Sequence, residues 1–156
     1  MTADDLDIRI DDLTSAASIA LVQRHLAGMH DLSPAESVHA LDVSALRHPS
    51  ITVWSAWRHG ELAGIGALAR LDSTQGELKS MRVTETHLGT GVGRTILRHI
   101  LAAARAEGLS RVSLETGSDA GFLAARTLYA SEGFTECEPF GDYAPDPAST
   151  FMTRAV

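Results

Sequence analysis

The stretch HLGTGVGRTIL, His87 to Leu97, directly follows a strand-like segment, GELKSMRV, that ends at Val83. Its glycines alternate at Gly89, Gly91 and Gly93, and a pattern of helical period begins behind them. A loop without Cβ atoms lets successive backbone N–H groups converge on one anion. The following helix contributes its unpaired N-terminal donors and the positive end of its dipole. The stretch therefore predicts a pyrophosphate site and, with it, a nucleotide-like cofactor.

Two familiar glycine loops do not match this stretch. A Walker A loop ends in Gly-Lys-Ser or Gly-Lys-Thr, whereas Gly93 is followed by Arg94 and Thr95. A dinucleotide fingerprint, G-x-G-x-x-G, follows the first strand of its domain. Gly89 and Gly91 fit its start, but Arg94 takes the place of the third glycine, and several predicted strands precede the loop. Both kinds of site are excluded.

The bulk composition is that of one globular domain spanning residues 1–156. The chain has 44% hydrophobic and 21% charged residues, which is in the ordinary range for a domain with a sizeable core. No run approaches the roughly 18 apolar residues of a membrane helix, and the acidic N-terminus does not resemble a signal peptide. A single cysteine, Cys137, excludes an internal disulfide and a cysteine-based metal cluster. We therefore expect a cytoplasmic protein that is not bound to a membrane.

The net charge and the spacing of the histidines bear on whether the protein binds nucleic acid, an amine or a metal. A net charge of −7 argues against nucleic acid, whose binding needs clustered lysine and arginine. The acidic balance is compatible with a cationic or amine substrate. The seven histidines show no metal-ligand spacing such as H-E-x-x-H. No metal cofactor is expected.

Hydrophobic periodicity and turn residues predict seven strands and four helices. The strands are predicted at 7–10, 52–58, 61–71, 77–83, 111–116, 134–138 and 150–154. The helices are predicted at 14–29, 33–46, 92–107 and 122–131. A helical crossover joins strand 77–83 to strand 111–116, so these two should run parallel. The order βααβββαβαββ predicts an α/β fold with a mixed sheet and helices on both of its faces.

That order, with a glycine loop between the fourth strand and the third helix, resembles the GNAT acyl-CoA N-acyltransferases over nearly the whole chain. The family pattern V-x-P-x-x-R-G-x-G-x-G is similar to residues 83–93, and A-x-x-L-Y-x-x-x-G-F is similar to residues 125–134. The YsnE-like bacterial branch is closer still, because its E-[IL]-K-S-M-R, S-L-E-T-G and C-E-P-F-x-D-Y segments recur here. Three positions depart from the family pattern: Glu85 replaces proline, Leu88 replaces arginine or glutamine, and Phe122 replaces asparagine.

The resemblance implies acetyl-CoA as cosubstrate and assigns residues 89–94 to its pyrophosphate, where Arg94 could add a charge-assisted contact. In the family, backbone groups near Met81 pair with pantetheine, and one N–H polarises the thioester carbonyl, which gathers negative charge during attack. The side chains of Met81 and Val83 are expected in the core. The cofactor-binding residues implied by the resemblance are Met81, Arg82, Val83, Leu88, Gly89, Thr90, Gly91, Val92, Gly93, Arg94 and Ala125.

Glu77 is the position at which some GNAT enzymes carry a catalytic glutamate. An amine arrives mostly as ammonium and must lose a proton before it attacks, and a nearby carboxylate can take that proton directly or through water. The other interpretation is a salt bridge, because Glu77 and Lys79 share one face of an ideal strand. A β-bulge near Met81 would alter that facing. Both interpretations remain open at this point.

Tyr129 matches the family tyrosine that protonates the departing CoA thiolate. A thiolate leaving group with a pKa of about 8.5 gains from a nearby phenol donor. The alternative is a helix tyrosine that packs in the core. Glu115, Asp142 and Tyr143 are candidates for the acceptor pocket on the branch resemblance, although Glu115 could equally cap the following helix.

These features together predict an N-acetyltransferase that moves acetyl from acetyl-CoA to an amine of a small molecule or peptide, by direct attack in a ternary complex. Glu77 would help deprotonate the amine, and Tyr129 would protonate the thiolate. The alternative is a non-catalytic acyl-CoA-binding module that keeps the fold without turnover, which Leu88 and Phe122 favour. A homodimer is compatible with the family, and no sequence feature fixes the oligomeric state or the acceptor.

Overall fold

The computed structural model describes residues 6–156. Within that range a seven-stranded sheet has the order β1-β2-β3-β4-β5-β7-β6. Its strands are β1 Leu6–Ile10, β2 Ile51–Arg58, β3 Glu61–Arg70, β4 Gln75–Val83, β5 Arg111–Gly117, β6 Thr135–Glu136 and β7 Ser149–Ala155. Its helices are α1 Ala16–Leu32, α2 Val43–Leu46, α3 Val92–Ala106 and α4 Leu123–Ser131. Neighbouring strands are antiparallel except β4 and β5, which are parallel. The predicted fold class and the predicted parallel pair are confirmed.

The sheet separates two apolar cores. The larger core lies on the α3 and α4 side, where α3 buries one face because its apolar residues recur at spacings of three and four. The buried residues of α3 are Val92, Ile96, Leu97, Ile100, Leu101 and Ala104. The smaller core lies under α1 and α2 and includes Leu21, Leu46 and Ile65. Both faces of the central strands are therefore covered, so polar side chains on them require a local explanation.

The prediction of one helix over residues 33–46 is wrong. A 3₁₀ turn spans Ala35–Ser37 and ends at Val38, whose backbone is extended. The hydroxyl of Ser37 donates to Asp146 Oδ2 at 2.5 Å, which ties the turn to the loop before β7. A separate short helix, α2, then begins where the Asp42 side chain accepts a hydrogen bond from Ala45 N–H at 2.8 Å. The cap at Asp42 restarts the helix, so the segment forms two short turns instead of one helix.

The bend in β4 opens the sheet. β4 and β5 pair only as far as Leu78 and Leu114. Beyond that point two residues of β4, Ser80 and Met81, lie opposite Gly66 of β3, which is a β-bulge. Ser80 has a left-handed φ of 56°. Because a bulge bends its strand and increases the local twist, β4 separates from β5 here and leaves a slot between the two strands.

Candidate functional site

The slot between β4 and β5 is a cavity of about 350 Å³. Its walls are the β4 segment 79–83, the β5 segment 114–116 and the facing sides of α1 and α4. Leu88 and Gly93, from the glycine loop and the start of α3, also line it. Ala125 contributes from α4. Six of the eleven residues assigned to the cofactor therefore line one cavity, whereas Gly89, Thr90, Gly91, Val92 and Arg94 do not line it.

The glycine loop presents an unpaired row of donors. Gly89 and Gly91 have left-handed φ values of 73° and 87°, which favour glycine. The first helical hydrogen bond of α3 runs from Thr95 N–H to Gly91 O at 3.1 Å. Within residues 6–156, none of the backbone N–H groups of residues 89–94 donates a hydrogen bond. Six consecutive free donors at a helix N-terminus are a suitable site for a pyrophosphate.

A buried arginine beneath the loop was missed by the sequence analysis. Arg58, at the end of β2, is 1% exposed, and its Nη1 donates to Thr90 Oγ1 at 3.2 Å. Thr90 in turn donates from Oγ1 to His87 O at 2.6 Å. These bonds fix the loop from below and place a positive charge behind its free N–H groups. No local signal identifies Arg58, because 32 residues separate it from Thr90.

At the glycine loop, Arg94 is bound to the end of α4, whereas the side chain of Leu88 is exposed. The Arg94 guanidinium forms an ion pair with Glu132 and donates to Ser131 Oγ at 3.0 Å, both at the end of α4. A contact between Arg94 and pyrophosphate stays a prediction and would compete with that ion pair. Leu88 is 63% exposed beside the slot, so its side chain is not required by the core.

The backbone of β4 offers donors to the slot. Thr84 N–H donates to Ala63 O at 2.9 Å, toward β3. Because successive N–H groups of a regular strand point to opposite edges, that of Val83 points to the open edge. The side chains of Met81 and Val83 pack against the α3 core, as expected from the sequence. The backbone is therefore the part of Met81 that a thioester carbonyl could contact.

Tyr129 lies in the wall of the slot. Its ring is 7% exposed and packs edge-on against Phe134, with centroids 5.8 Å apart. Burial raises the pKa of Tyr129 well above its ordinary value of 10. Its hydroxyl makes no hydrogen bond to any other side chain or backbone group in residues 6–156. Tyr129 is thus a protonated donor that is available to a ligand.

Glu77 is engaged on one oxygen only. Its Oε2 accepts hydrogen bonds from Lys79 Nζ at 3.1 Å and from the Tyr143 hydroxyl at 2.5 Å. The salt-bridge interpretation is therefore observed. Oε1 has no hydrogen-bond partner within the described part of the chain, so it is available to an amine or a water. Burial and the charge of Glu77 raise the pKa of Tyr143, which keeps its hydroxyl protonated.

Glu115 is a second carboxylate on the same face of the sheet. The register pairs Glu77 with Ser113, and Glu115 lies two residues further along β5, with its side chain on the slot. Burial raises the pKa of Glu115 above its ordinary value. Glu115 does not cap the helix that follows, because Asp119 accepts the hydrogen bond from Gly121 N–H at 2.8 Å.

A second cavity of about 750 Å³ lies beside Tyr143. Its lining includes His39, Glu77, Phe140, Asp142 and Tyr143. Glu77, Asp142 and Tyr143 therefore line this second cavity and do not line the slot. In residues 6–156 no group of three or more metal-ligating side chains meets, and no helix there is long and apolar enough to cross a membrane.

The model of the acetyltransferase (GNAT) family matches residues 16–134. The chain belongs to this family. It is 53% identical over 151 residues to the uncharacterized N-acetyltransferase YsnE of Bacillus subtilis, covering 97% of this chain and 100% of the relative. It is 54% identical over 149 residues to the uncharacterized N-acetyltransferase YedL of Escherichia coli, covering 96% and 94%. The predictions of a GNAT enzyme and of the YsnE-like branch are confirmed.

A solved structure agrees with this assignment. A candidate acyl-CoA N-acyltransferase from Klebsiella pneumoniae matches with a TM-score of 0.79 and 27% identity, covering 96% of this chain and 97% of that one. The GNAT fold of the chain thus extends over the sheet, the slot and the helices described above.

Proposed function

We propose that this GNAT protein transfers acetyl from acetyl-CoA to an amine of a small molecule or peptide, by direct attack in a ternary complex. The observation that supports this most directly is the slot itself. At Gly93 it reaches the glycine loop, whose six N–H groups donate no hydrogen bond within residues 6–156, and Met81 and Tyr129 line it further along. These groups suit, in turn, a pyrophosphate, a thioester carbonyl and a thiolate leaving group.

Each residue has a definite part in the proposed transfer. The amine nitrogen bonds to the carbonyl carbon, and the C–S bond of the thioester breaks. Met81 N–H holds the carbonyl oxygen while negative charge develops there. Oε1 of Glu77 takes the proton of the ammonium, directly or through water, and Tyr129 gives its proton to the thiolate. Glu115 is a second candidate for the proton acceptor, because it faces the slot from the same side of the sheet.

A thermal melt with and without acetyl-CoA tests the binding part of this proposal, since a ligand of the native state raises the melting temperature. Release of free thiol in the presence of a panel of amines tests the transfer. A rise in melting temperature together with amine-dependent thiol release would support the enzyme. A rise without release for any amine would favour the non-catalytic acyl-CoA-binding module, and no rise at millimolar acetyl-CoA would overturn the pyrophosphate site.

A further inference from the structure

Three polar groups without partners line the slot on its α1 side. The Nδ1 of His25 and the Oγ of Ser80 are buried and have no hydrogen-bond partner among the described residues. The guanidinium of Arg82 makes no ion pair or hydrogen bond within residues 6–156. Buried polar groups in native proteins are nearly always satisfied. Two such exceptions, beside a half-buried arginine that has no partner among the described residues, indicate that a ligand satisfies these groups.

Gly28 of α1 leaves space for the guanidinium of Arg82. A Cβ on Gly28 would lie 2.8 Å from Nη1 of Arg82 and 3.1 Å from its Nη2. Glycine inside a helix is unfavourable, because it loses more conformational freedom than alanine. Its presence at this buried position is explained by the arginine, which can lie directly against the helix only where no side chain intervenes. His25, one turn earlier in α1, lines the same cavity.

Among residues 6–156, no acidic side chain forms an ion pair with Arg82. Arg24, its neighbour, is paired with Glu85 at 3.0 Å. Burial and the nearby charge of Arg24 lower the pKa of Arg82, and Glu85 offsets this only in part. Burial and the charge of Arg82 lower the pKa of His25 to about 4. At neutral pH the imidazole is therefore uncharged, with one N–H to donate.

We propose that Arg82, with His25 and Ser80, binds a carboxylate of the substrate. The inference rests on the proposed function, because it names the substrate class of the same slot. A guanidinium binds a carboxylate through two parallel N–H···O bonds, and a neutral imidazole and a hydroxyl can donate to the same oxygens. Glu77 and Glu115 supply negative charge for an amine on the same side of the sheet. The acceptor favoured by this arrangement is an amino acid, with an amine and a carboxylate on one small molecule.

The carboxylate could instead belong to the acyl chain of the donor, so the experiment has two arms. In the first, the proteinogenic amino acids are compared with their α-amides, which keep the amine and lose the charge. The readouts are kcat/KM with acetyl-CoA and the calorimetric Kd of the amino acid for the CoA-loaded protein. In the second arm, succinyl-CoA and malonyl-CoA are compared with acetyl-CoA by calorimetry.

Arg82→Gln removes the charge, and Gly28→Ala displaces the guanidinium without changing Arg82 itself. Both variants are expected to reduce the preference for the acid over the amide by about tenfold or more. Arg105→Gln is the matched control, because Arg105 is an exposed arginine of α3 that does not line the slot. Its acid-to-amide ratio should equal that of the wild type.

The outcomes separate this inference from the proposed function. If Arg82→Gln and Gly28→Ala lose the preference for amino acids over their amides, the acceptor is an amino acid. If they lose only a preference for succinyl-CoA or malonyl-CoA over acetyl-CoA, the carboxylate belongs to a dicarboxylic acyl donor. Equal binding of acids and amides in both arms, unchanged by Arg82→Gln and Gly28→Ala, overturns the carboxylate site even if acetyl transfer to amines is observed. Charge-dependent amino-acid binding without turnover would support the site while the proposed transfer fails.

Discussion

Tyr143 donates a 2.5 Å hydrogen bond from its hydroxyl to Oε2 of Glu77, which joins the loop 137–148 to β4 across 66 residues of chain. The ring of Tyr143 also packs against the rings of His39, Phe140 and Phe151, and the distances between ring centroids are 5.0 to 5.4 Å. The loop before β7 is therefore attached to the carboxylate proposed to take the proton. Stability and activity should be coupled at this contact.

Tyr143→Phe keeps the ring contacts and removes only the hydroxyl. We expect a loss of about 1–2 kcal/mol in the free energy of unfolding, because Glu77 loses a short, charge-assisted bond. Denaturant unfolding of Tyr143→Phe, Glu77→Gln and the double variant measures the coupling. The two single effects should add to more than the effect of the double variant. Simple additivity would show that the bond contributes nothing to stability.

Tyr129→Phe should lower kcat about a hundredfold, because the thiolate would leave without a proton donor. The rise in melting temperature with acetyl-CoA should persist, since the ring and its contact with Phe134 remain. The raised pKa of Tyr129 adds a second expectation. The wild-type pH–rate profile should show no loss from deprotonation of this group up to pH about 10. A kcat of Tyr129→Phe equal to that of the wild type would exclude the acid role.

Gly91→Ala and Gly108→Ala form a matched pair at the two ends of α3. Both glycines have left-handed φ, 87° and 86°, and an added Cβ would meet nothing within 4 Å at either. Each substitution should cost about 1–2 kcal/mol of stability from backbone strain alone. Only Gly91→Ala should also raise the KM for acetyl-CoA, because only that glycine shapes the row of free donors. An equal rise in KM for both would assign the effect to general destabilisation.

His25 should make the protein less stable in mild acid. Its pKa falls from 6.5 in the unfolded chain to about 4 in the fold. Between these values the unfolded state binds a proton that the folded state does not, so stability decreases as pH falls from about 6.5 to 4. The full contribution is about 3 kcal/mol. Thermal melts at several pH values should show that the melting temperature of His25→Gln falls less between pH 6.5 and 4 than that of the wild type.

The matched control for this pH dependence is His30→Gln, which changes an exposed histidine of the same helix. It should retain the wild-type slope. If His25→Gln and the wild type lost stability in parallel on acidification, the buried histidine would not be the group responsible.

Much of the fold was predictable because its signals are local. Alternating glycines, a Gly108 stop and apolar residues at spacings of three and four determine α3 within a residue or two. The helix predicted at 33–46 failed for two reasons, a local cap at Asp42 that starts a new helix and a non-local bond from Ser37 to Asp146, 109 residues away. Propensity and capping patterns do not register such a contact.

Residue patterns alone are enough to identify the family, the order of strands around the glycine loop, and Tyr129 and Glu77 as candidate residues. What those residues touch follows only from the folded chain. Folding placed Arg58 under Thr90 and paired Arg94 with Glu132, and it left Arg82, His25 Nδ1 and Ser80 Oγ without partners among the described residues. The physical reason is that periodicity and turn chemistry act over a few residues, whereas hydrogen bonds and burial depend on groups brought together from distant parts of the chain.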